Sequence, residues 1–233
     1  EMPGAPKFWH EGGPLAVLLS PLSAIGAALT ARRVSRVGYA ASVPVLCCGN
    51  ATVGGAGKTT LALDLGQRLK RHGVVVHYLL RGYRGSTRGA HRVLPTDTAL
   101  QVGDEALLLS AVAPTWTGAD RAATAKAATE AGAQLLIMDD GLQNATLRKD
   151  VSILTIDGAS GFGNGRVLPA GPLREPLESC VRRCQMAVMI GDDVAGSAKR
   201  LPAALPILRA RLVQDRAIST LRGRRVVAFA GIA

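Results

Sequence analysis

Short apolar runs recur along this chain and are separated by stretches with helical periodicity. Their length and composition are typical of strands buried inside a sheet. Leu61, Leu65 and Leu69 mark one intervening helix, and an alanine-rich second helix is predicted at residues 121–132. We predict strands at residues 43–48, 74–80, 134–140, 151–157, 185–190, 206–213 and 224–230.

The order strand, helix, strand over residues 43–80 predicts the start of a doubly wound α/β fold with a mostly parallel sheet. Ligands of such sheets bind outside the carboxyl ends of the strands. The turns that follow the predicted strands are therefore the places where functional side chains are expected.

The turn after the first strand is rich in glycine and ends in Gly57-Lys58-Thr59. A strand that enters a helix through such a turn directs several backbone N–H groups, and the positive end of the helix dipole, at one hollow. This is the pattern of a phosphate-binding loop, as in P-loop NTPases, although Thr52 stands where the usual motif has its first glycine. We predict that the phosphates of a nucleotide contact Thr52, Val53, Gly54, Gly55, Ala56, Gly57, Lys58, Thr59 and Thr60.

Two groups of acids follow this loop in the chain. Asp139 and Asp140 end an apolar strand, where a carboxylate beside a phosphate loop holds Mg²⁺, so we predict a magnesium site made by Thr59, Asp139 and Asp140. Asp104 opens an apolar helix within Gly103-Asp104-Glu105. It can balance the helix dipole or accept a proton from an attacking hydroxyl, and the two roles are compatible.

Two further loops have the composition of functional segments. Residues 81–88 carry Arg81, Arg84 and Arg88, which either face phosphates or form a solvated basic loop. Residues 161–176 form a long connection rich in glycine and proline, and ordered loops of this length are usually functional.

The amino-terminal region contains an uncharged apolar stretch, residues 14–31, preceded by Phe8-Trp9 and followed by Arg32, Arg33 and Arg36. Pro21 interrupts it, and it is too short and too weakly apolar for a membrane-spanning helix. Aromatic residues on one side and arginines on the other favour a helix that lies on an anionic membrane surface. The alternative is an ordinary amphipathic helix packed on its own domain.

The composition restricts the class of partner. The formal net charge of +11 indicates an anionic partner, which includes nucleotides, nucleic acids and acidic membranes. Aromatic residues make up only 3% of the chain, so base-stacking platforms for single-stranded nucleic acid are scarce. The four cysteines suit neither a disulfide framework nor a four-ligand zinc site, and they indicate a reducing compartment.

Ordered blocks along nearly the whole chain resemble the tetraacyldisaccharide 4'-kinases of lipid A biosynthesis. The absence of the first loop glycine, at Thr52, is normal in that family. The matching blocks are Phe8-Trp9, Pro21-Leu22-Ser23, Val43-Pro44-Val45, Gly49-Asn50, residues 52–59, Arg81-Gly82-Tyr83, Gly103-Asp104-Glu105, Asp139-Asp140-Gly141-Leu142-Gln143, Gly163-Asn164-Gly165, residues 168–175 and residues 228–232.

The resemblance implies transfer of the ATP γ-phosphate to the 4'-hydroxyl of a tetraacylated glucosamine disaccharide 1-phosphate, which yields lipid IVA. It implies ATP and Mg²⁺ as cofactors, and a peripheral protein on the cytoplasmic face of the bacterial inner membrane. Nucleic acid is not an expected partner.

The resemblance also assigns roles to residues. Asp104 is the candidate general base, and Lys58, Asp139 and Asp140 complete the predicted catalytic set. The acceptor is expected to contact Asn50, Arg81, Gln143 and Arg174.

The family pattern divides the chain into three parts. Residues 1–36 are the interfacial helix region, and residues 37–205 are the kinase domain. Residues 206–233 are a connector strand and the start of a smaller α/β lobe. Because the last predicted strand ends the chain with no helix to cover it, we expect the sequence to be a fragment that lacks the rest of that lobe.

The sequence departs from the family pattern at three positions. Leu80 stands where serine often precedes Arg-Gly-Tyr, Thr60 where proline commonly follows Gly-Lys-Thr, and Asn144 where histidine often follows Asp-Gly-x-Gln. None of these changes removes a residue predicted to bind phosphate or metal. They therefore affect the fine adjustment of the site to its substrate rather than the type of reaction.

Two other functional classes share some of these features. A nucleotide switch, either a GTPase or a partitioning ATPase, would share the phosphate loop. However, the chain has no Asn-Lys-x-Asp guanine motif, and Val53 replaces the signature lysine of those ATPases. A nucleic-acid-binding protein would explain the charge but not the Asp139-Asp140 strand end or the apolar amino-terminal stretch.

Overall fold

The computed structural model describes residues 5–82, 89–213 and 220–225. The helices are Phe8–Glu11 (α1), Pro14–Leu18 (α2), Ser20–Val34 (α3), Lys58–Arg71 (α4), Ala99–Val102 (α5), Asp104–Ser110 (α6), Arg121–Glu130 (α7) and Leu177–Val181 (α8), with a 3-10 helix at Ser197–Arg200. The strands are Val45–Gly49 (β1), Val76–Leu80 (β2), His91–Arg92 (β3), Thr115–Thr117 (β4), Leu135–Asp139 (β5), Val151–Asp157 (β6), Met186–Ile190 (β7) and Ile207–Ala210 (β8).

Within the described residues these strands form one sheet in the order β3-β4-β2-β5-β1-β6-β7-β8. Every pairing is parallel except the one between β3 and β4. The predicted α/β class with a mostly parallel sheet is therefore confirmed. Because β1 and β5 are parallel neighbours, the phosphate loop and the Asp139-Asp140 pair leave the sheet side by side at one edge.

Both faces of the sheet are covered, which is why β1, β5 and β7 are almost entirely apolar. Cys47 packs into the core cluster that includes residues of α7 and α8, while its neighbour Cys48 packs into the cluster that includes residues of α4 and α6. Tyr78 and Leu79 on β2 divide in the same way, as the twofold period of a strand requires. The four cysteines are buried free thiols.

The structure differs from the predicted elements mainly at the edges of the sheet. β3 and β4 were not predicted, because runs of two and three residues lie below the length at which a pattern can be recognised. The predicted connector strand is present as β8, and it extends the same sheet by pairing in parallel with β7. Most of the predicted strand at residues 224–230 lies outside the described residues, and the predicted domain limits stay a prediction.

The amino-terminal stretch forms two helices rather than one, and the break falls at Leu19. Pro21 lies in the first turn of α3, where a missing N–H leaves no intrahelical bond unmade. None of the helices in the described part of the chain is long and apolar enough to cross a membrane.

The amino-terminal helices are attached to the long glycine- and proline-rich loop. Ser23 Oγ donates to the Val167 carbonyl at 2.7 Å and accepts from the Ala170 N–H at 3.1 Å. Asn164 Nδ2 donates to the Phe8 carbonyl at 2.8 Å, and Trp9 Nε1 donates to the Pro169 carbonyl at 3.0 Å. Polar contacts to loop backbone therefore hold these helices, and most of their leucines remain free of the core.

Candidate active site

The predicted phosphate loop connects β1 to α4, as the pattern requires. Gly57 has φ 77°, a conformation that suits glycine, and a Cβ placed there would lie 2.5 Å from Ile190 Cδ1. The next residue, Lys58, is the first of α4 and is buried. The backbone turn and the packing of β7 thus both require glycine immediately before the lysine.

A second segment fixes the first half of this loop. The Val53 N–H donates to the Pro172 carbonyl at 2.9 Å, and the Arg174 N–H donates to the Ala51 carbonyl at 2.8 Å. Thr52 and Leu173 form an antiparallel bridge between these two bonds. The long loop at residues 161–176 is therefore a structural support of the phosphate loop as well as of the amino-terminal helices.

Thr59 and Asp139 meet at the predicted metal position. Thr59 Oγ1 donates to Asp139 Oδ2 at 2.8 Å. Asp139 is only 2% exposed, and its other oxygen, Oδ1, has no hydrogen-bond partner among the described residues. A hydroxyl beside a buried carboxylate with one free oxygen is a donor set that fits a hard cation such as Mg²⁺.

The environment of Asp139 opposes its ionisation. Burial raises the pKa of Asp139 from its ordinary value of 3.8 to about 7, and the charges of Glu105 and Asp140 add to the rise. The hydrogen bond from Thr59 and the charge of Lys58 act in the opposite direction. A site that holds excess negative charge away from water in this way favours the arrival of a cation.

Asp140 has a different setting from its neighbour. It is the one non-glycine residue with positive φ among the described residues, at 54°. Arg174 Nη1 donates to both of its oxygens, at 2.9 and 3.0 Å, and Arg174 Nε donates to the Thr52 carbonyl at 3.1 Å. Arg174, predicted as a substrate residue, therefore connects Asp140 to the phosphate loop. Its contact with substrate and the metal role of Asp140 both stay predictions.

Asp104 and Glu105 are the first two residues of α6, which begins near Thr59. Asp104 is exposed, and its Oδ1 accepts the N–H of Glu105 at 3.0 Å. Glu105 Oε1 lies 3.4 Å from Thr59 Oγ1, and partial burial raises the pKa of Glu105 while the charge of Lys58 opposes the rise. Glu105 was not predicted as a site residue, although it stands in the same Gly-Asp-Glu block as Asp104.

Asn50 and Gln143 lie under the phosphate loop. Asn50 is 1% exposed, and its Nδ2 donates to Thr52 Oγ1 and to the Gly54 carbonyl, both at 3.3 Å. Gln143 Nε2 donates to the Asn50 carbonyl at 3.3 Å. These contacts support the loop, and the predicted substrate contacts of both residues stay untested.

Two arginines, Arg81 and Arg121, lie within electrostatic range of one another, and Arg121 also lies within range of Asp139 and Asp140. Arg81 follows β2 and is exposed, whereas Arg121, at the start of α7, is 2% exposed. Burial and the nearby charge of Arg81 lower the pKa of Arg121 to about 10, against the opposing charges of Asp140 and Asp139. Nothing in the sequence distinguishes Arg121 from any arginine at a helix start. The predicted phosphate-facing residues Arg84 and Arg88 lie outside the described residues.

Within residues 5–82, 89–213 and 220–225, no group of three or more His, Cys, Asp and Glu side chains converges as a metal site.

Comparison with known proteins identifies similar sequences. The family model described as tetraacyldisaccharide-1-P 4'-kinase matches residues 15–233. A tetraacyldisaccharide 4'-kinase of Gluconacetobacter diazotrophicus is 56% identical over 231 residues, which are 98% of this chain and 71% of that protein. The corresponding protein of Gluconobacter oxydans is 53% identical, over 97% of this chain and 70% of that protein.

A solved structure shows the same fold. The "apo" form of LpxK from Aquifex aeolicus, crystallised in complex with ATP, superposes with a TM-score of 0.71 at 27% sequence identity. The match covers 84% of this chain and 64% of that chain. The chain thus spans somewhat less than two thirds of the solved protein.

Proposed function

This chain belongs to the tetraacyldisaccharide 4'-kinase family, and from that premise we propose that it carries the ATP site and the phosphoryl-transfer site of such a kinase. The reaction is transfer of the ATP γ-phosphate to the 4'-hydroxyl of a tetraacylated glucosamine disaccharide 1-phosphate. The observation that carries the proposal is the contact between Thr59 and Asp139, 2.8 Å long, next to Lys58 at the start of α4.

The phosphate loop binds the triphosphate of ATP. Backbone N–H groups at the start of α4 and the positive end of its dipole attract the anion, and Lys58 adds a fixed positive charge. The hydrogen bonds of Arg174 to Asp140 and to the Thr52 carbonyl hold the loop in its conformation before the nucleotide binds. Such preorganisation lowers the cost of stabilising charge in the transition state.

Thr59 and Asp139 would hold Mg²⁺, which when bound neutralises charge on the phosphate oxygens. Glu105 is close enough to Thr59 to bear on the same position. Asp139 must be ionised to act as a ligand, and because its pKa is raised, its carboxyl group would have to release a proton at or below neutral pH before it could hold a cation.

Asp104 accepts the proton of the acceptor hydroxyl. The 4'-oxygen bonds to the γ-phosphorus while the bond from that phosphorus to the β,γ-bridging oxygen breaks, and the hydroxyl proton passes to the Asp104 carboxylate. Asp104 suits this role because it is exposed on the loop side of the sheet edge and no cation pairs with it among the described residues. Arg81, also exposed at this edge, provides positive charge for an anionic acceptor.

The amino-terminal helices seat the protein on an anionic membrane, at the cytoplasmic face of the bacterial inner membrane. Their apolar side chains are 48% to 74% exposed, which disfavours the alternative of a helix packed on its own domain; they are Leu15, Leu18, Leu22, Ile25 and Leu29. Arg32, Arg33 and Arg36 follow at the basic end of α3. A peripheral position gives the site access to an acylated substrate.

A nucleotide switch without a lipid substrate is not supported, because the family model and the relatives quoted above are all 4'-kinases.

Replacement of Lys58 or Thr59 by alanine tests the site directly. In the full-length protein we expect each variant to lose about 10²-fold or more in kcat, since the transferring phosphoryl group loses a fixed cation or a metal seat. Lys70→Ala, a lysine near the other end of α4, is the control and should retain activity. Near-normal turnover by Lys58→Ala with intact folding would refute the loop assignment.

A further inference from the structure

A buried carboxylate lies next to the active site and has no role in the reaction described above. Glu175 is 1% exposed and follows Arg174 directly. Its Oε1 accepts two hydrogen bonds, from Gln143 Nε2 at 2.9 Å and from Arg183 Nη2 at 2.6 Å. Its Oε2 has no partner among the described residues. Within the part of the chain that the structure describes, Arg183 is the one cation that forms an ion pair with this carboxylate, and a carboxylate taken out of water depends on such a partner.

The contact to Gln143 continues to the phosphate loop. The two hydrogens of Gln143 Nε2 reach two acceptors, Glu175 Oε1 and the Asn50 carbonyl at 3.3 Å. The amide of Asn50 in turn donates to Thr52 and Gly54. A chain of side-chain contacts therefore runs from Arg183, just after α8, to the backbone that shapes the nucleotide cradle.

Hydrogen bonds fix the backbone on both sides of Glu175, and this limits how far its side chain can move to find another partner. On one side, Arg174 is hydrogen-bonded to the Ala51 carbonyl, and on the other, the Pro176 carbonyl accepts from Cys180 in α8. Lys149 lies within electrostatic range of Glu175, but its ammonium group is engaged by the Asn144 carbonyl. Arg183 is therefore the cation on which the orientation of Glu175 depends.

We propose that Arg183 is a positioning residue for ATP, which acts through Glu175 and Gln143 on the Asn50 end of the phosphate loop. Loss of the guanidinium leaves Glu175 as an uncompensated buried charge that protonates or turns, and Gln143 then loses the acceptor that aligns it with Asn50. This inference rests on the proposed function of the loop as the ATP site.

The chain offers a matched control one residue away. Arg182 pairs with Glu178 at 2.5 Å, but both side chains are about three quarters exposed, at 74% and 76%. Such a surface pair contributes little. Arg182→Gln therefore removes the same chemical group from the same segment without touching the chain of contacts that leads to the loop.

The test compares Arg183→Gln, Glu175→Gln and Arg182→Gln in the full-length protein. Binding of the β,γ-methylene analogue of ATP is measured by calorimetry, and KM for ATP, KM for the lipid and kcat are measured separately. We expect Arg183→Gln and Glu175→Gln to weaken analogue binding and raise KM for ATP by about 10- to 100-fold, as for loss of one charge-assisted bond. KM for the lipid should stay unchanged, and Arg182→Gln should match the wild type. Arg183→Lys should recover part of the affinity, and the double variant should lose less than the product of the two single effects.

Each outcome distinguishes this inference from the proposed function. If the wild-type protein does not bind the analogue, the ATP site itself is wrong. If the wild type binds and the Arg183 and Glu175 variants bind equally well, the positioning role is wrong. A variant that merely loses folded protein would lower the active fraction while leaving both KM values unchanged, which would also overturn the inference. If Arg183→Gln does not fold, Arg183→Lys and Glu175→Gln are decided by the same KM comparison.

Discussion

At the scale of residues, the structure separates two acids that are adjacent in sequence. Successive residues at a strand end point in opposite directions, so the sequence cannot assign the metal ligand between Asp139 and Asp140. Asp139 contacts Thr59, whereas the positive φ of Asp140 directs its carboxylate to Arg174. The different contacts of the two acids depend on a backbone conformation that no side-chain pattern reveals.

Single residues also show where prediction from sequence ends. The loop glycines, Lys58 and Thr59 form a motif with fixed spacing and could be recognised directly. Glu105 and Glu175 lie in recognised blocks, at residues 103–105 and 168–175, but their contacts with Thr59 and Gln143 are made only in the folded protein. Nothing in the local sequence distinguishes the buried Arg121 from a surface charge. Charged side chains are buried only where partners far apart in the chain meet, and those partners are known only once the fold is known.

Replacing Asp104 by asparagine should impair the reaction in a different way from replacing Asp139 by asparagine. Asp104→Asn should lower kcat and leave binding of Mg·ATP nearly intact, because the phosphate cradle survives while the proton acceptor is lost. Asp139→Asn should raise the Mg²⁺ concentration needed for half-maximal rate. Titration of Mg²⁺ at saturating ATP measures both, with Asp140→Asn alongside. The division of roles is wrong if Asp104→Asn shows the largest shift in metal requirement.

The raised pKa of Asp139 also predicts how stability depends on pH in the absence of metal and nucleotide. Because the folded-state pKa of about 7 lies above the ordinary value of 3.8, the folded protein binds more protons than the unfolded chain between these values. The stabilising contribution of Asp139 is therefore complete below about pH 4 and is lost as pH rises towards 7.

Denaturant unfolding in EDTA from pH 4 to pH 8 measures this effect as the difference between wild type and Asp139→Asn. The unfolding free energy of the wild type should fall relative to the variant by an amount on the order of 4 kcal/mol across that range. A difference that does not change with pH would contradict the raised pKa.

At the scale of elements, the positions of long strands and helices were predictable, and the short edge strands were not. β2, β5, β6, β7 and β8 all fall within predicted apolar runs, β6 has the predicted limits, and β1 ends at Gly49, one residue beyond its predicted run. The docking of α3 on the loop at residues 163–170 depends on contacts across more than 140 residues. Such contacts leave no periodic signal in a local window.

Because the apolar face of α3 is exposed, we predict that it binds membranes and that replacing its exposed apolar side chains weakens this binding. Replacing Leu22, Ile25 and Leu29 together by serine should reduce binding to anionic vesicles by about tenfold or more, since three large apolar side chains lose their contact with lipid. The substituted side chains are exposed, so folding should be unaffected.

Sedimentation with vesicles of mixed anionic and neutral lipid, at low and high salt, measures this binding. Val194→Ser, at an apolar position that is 79% exposed elsewhere on the protein, is the control. Raised salt should weaken the wild type through Arg32, Arg33 and Arg36. Unchanged vesicle binding by the triple variant would assign α3 a purely structural role.

At the scale of the whole molecule, the residues with proposed functions lie at the carboxyl ends of the parallel strands, which form one edge of the sheet. The parallel order brings the loop after β1, the acids after β5 and the arginine after β2 together, and the loop at residues 161–176 joins this edge to the amino-terminal helices. The fold class and this edge followed from the sequence, because strands that alternate with helices constrain the topology. The arrangement of supporting contacts under the edge did not, since it depends on packing between distant segments.

The central claim is that the ATP γ-phosphate is transferred to the 4'-hydroxyl of the acylated disaccharide. The most direct measurement incubates the full-length protein with γ-labelled ATP and tetraacyldisaccharide 1-phosphate and then locates the label in the lipid by mass spectrometry and phosphorus NMR. We expect one new phosphate at the 4'-position, no labelling of a disaccharide that already carries a 4'-phosphate, and product formation slowed about 10²-fold or more in Lys58→Ala. ATP consumption without label in the lipid, or label at any other position, would contradict the claim.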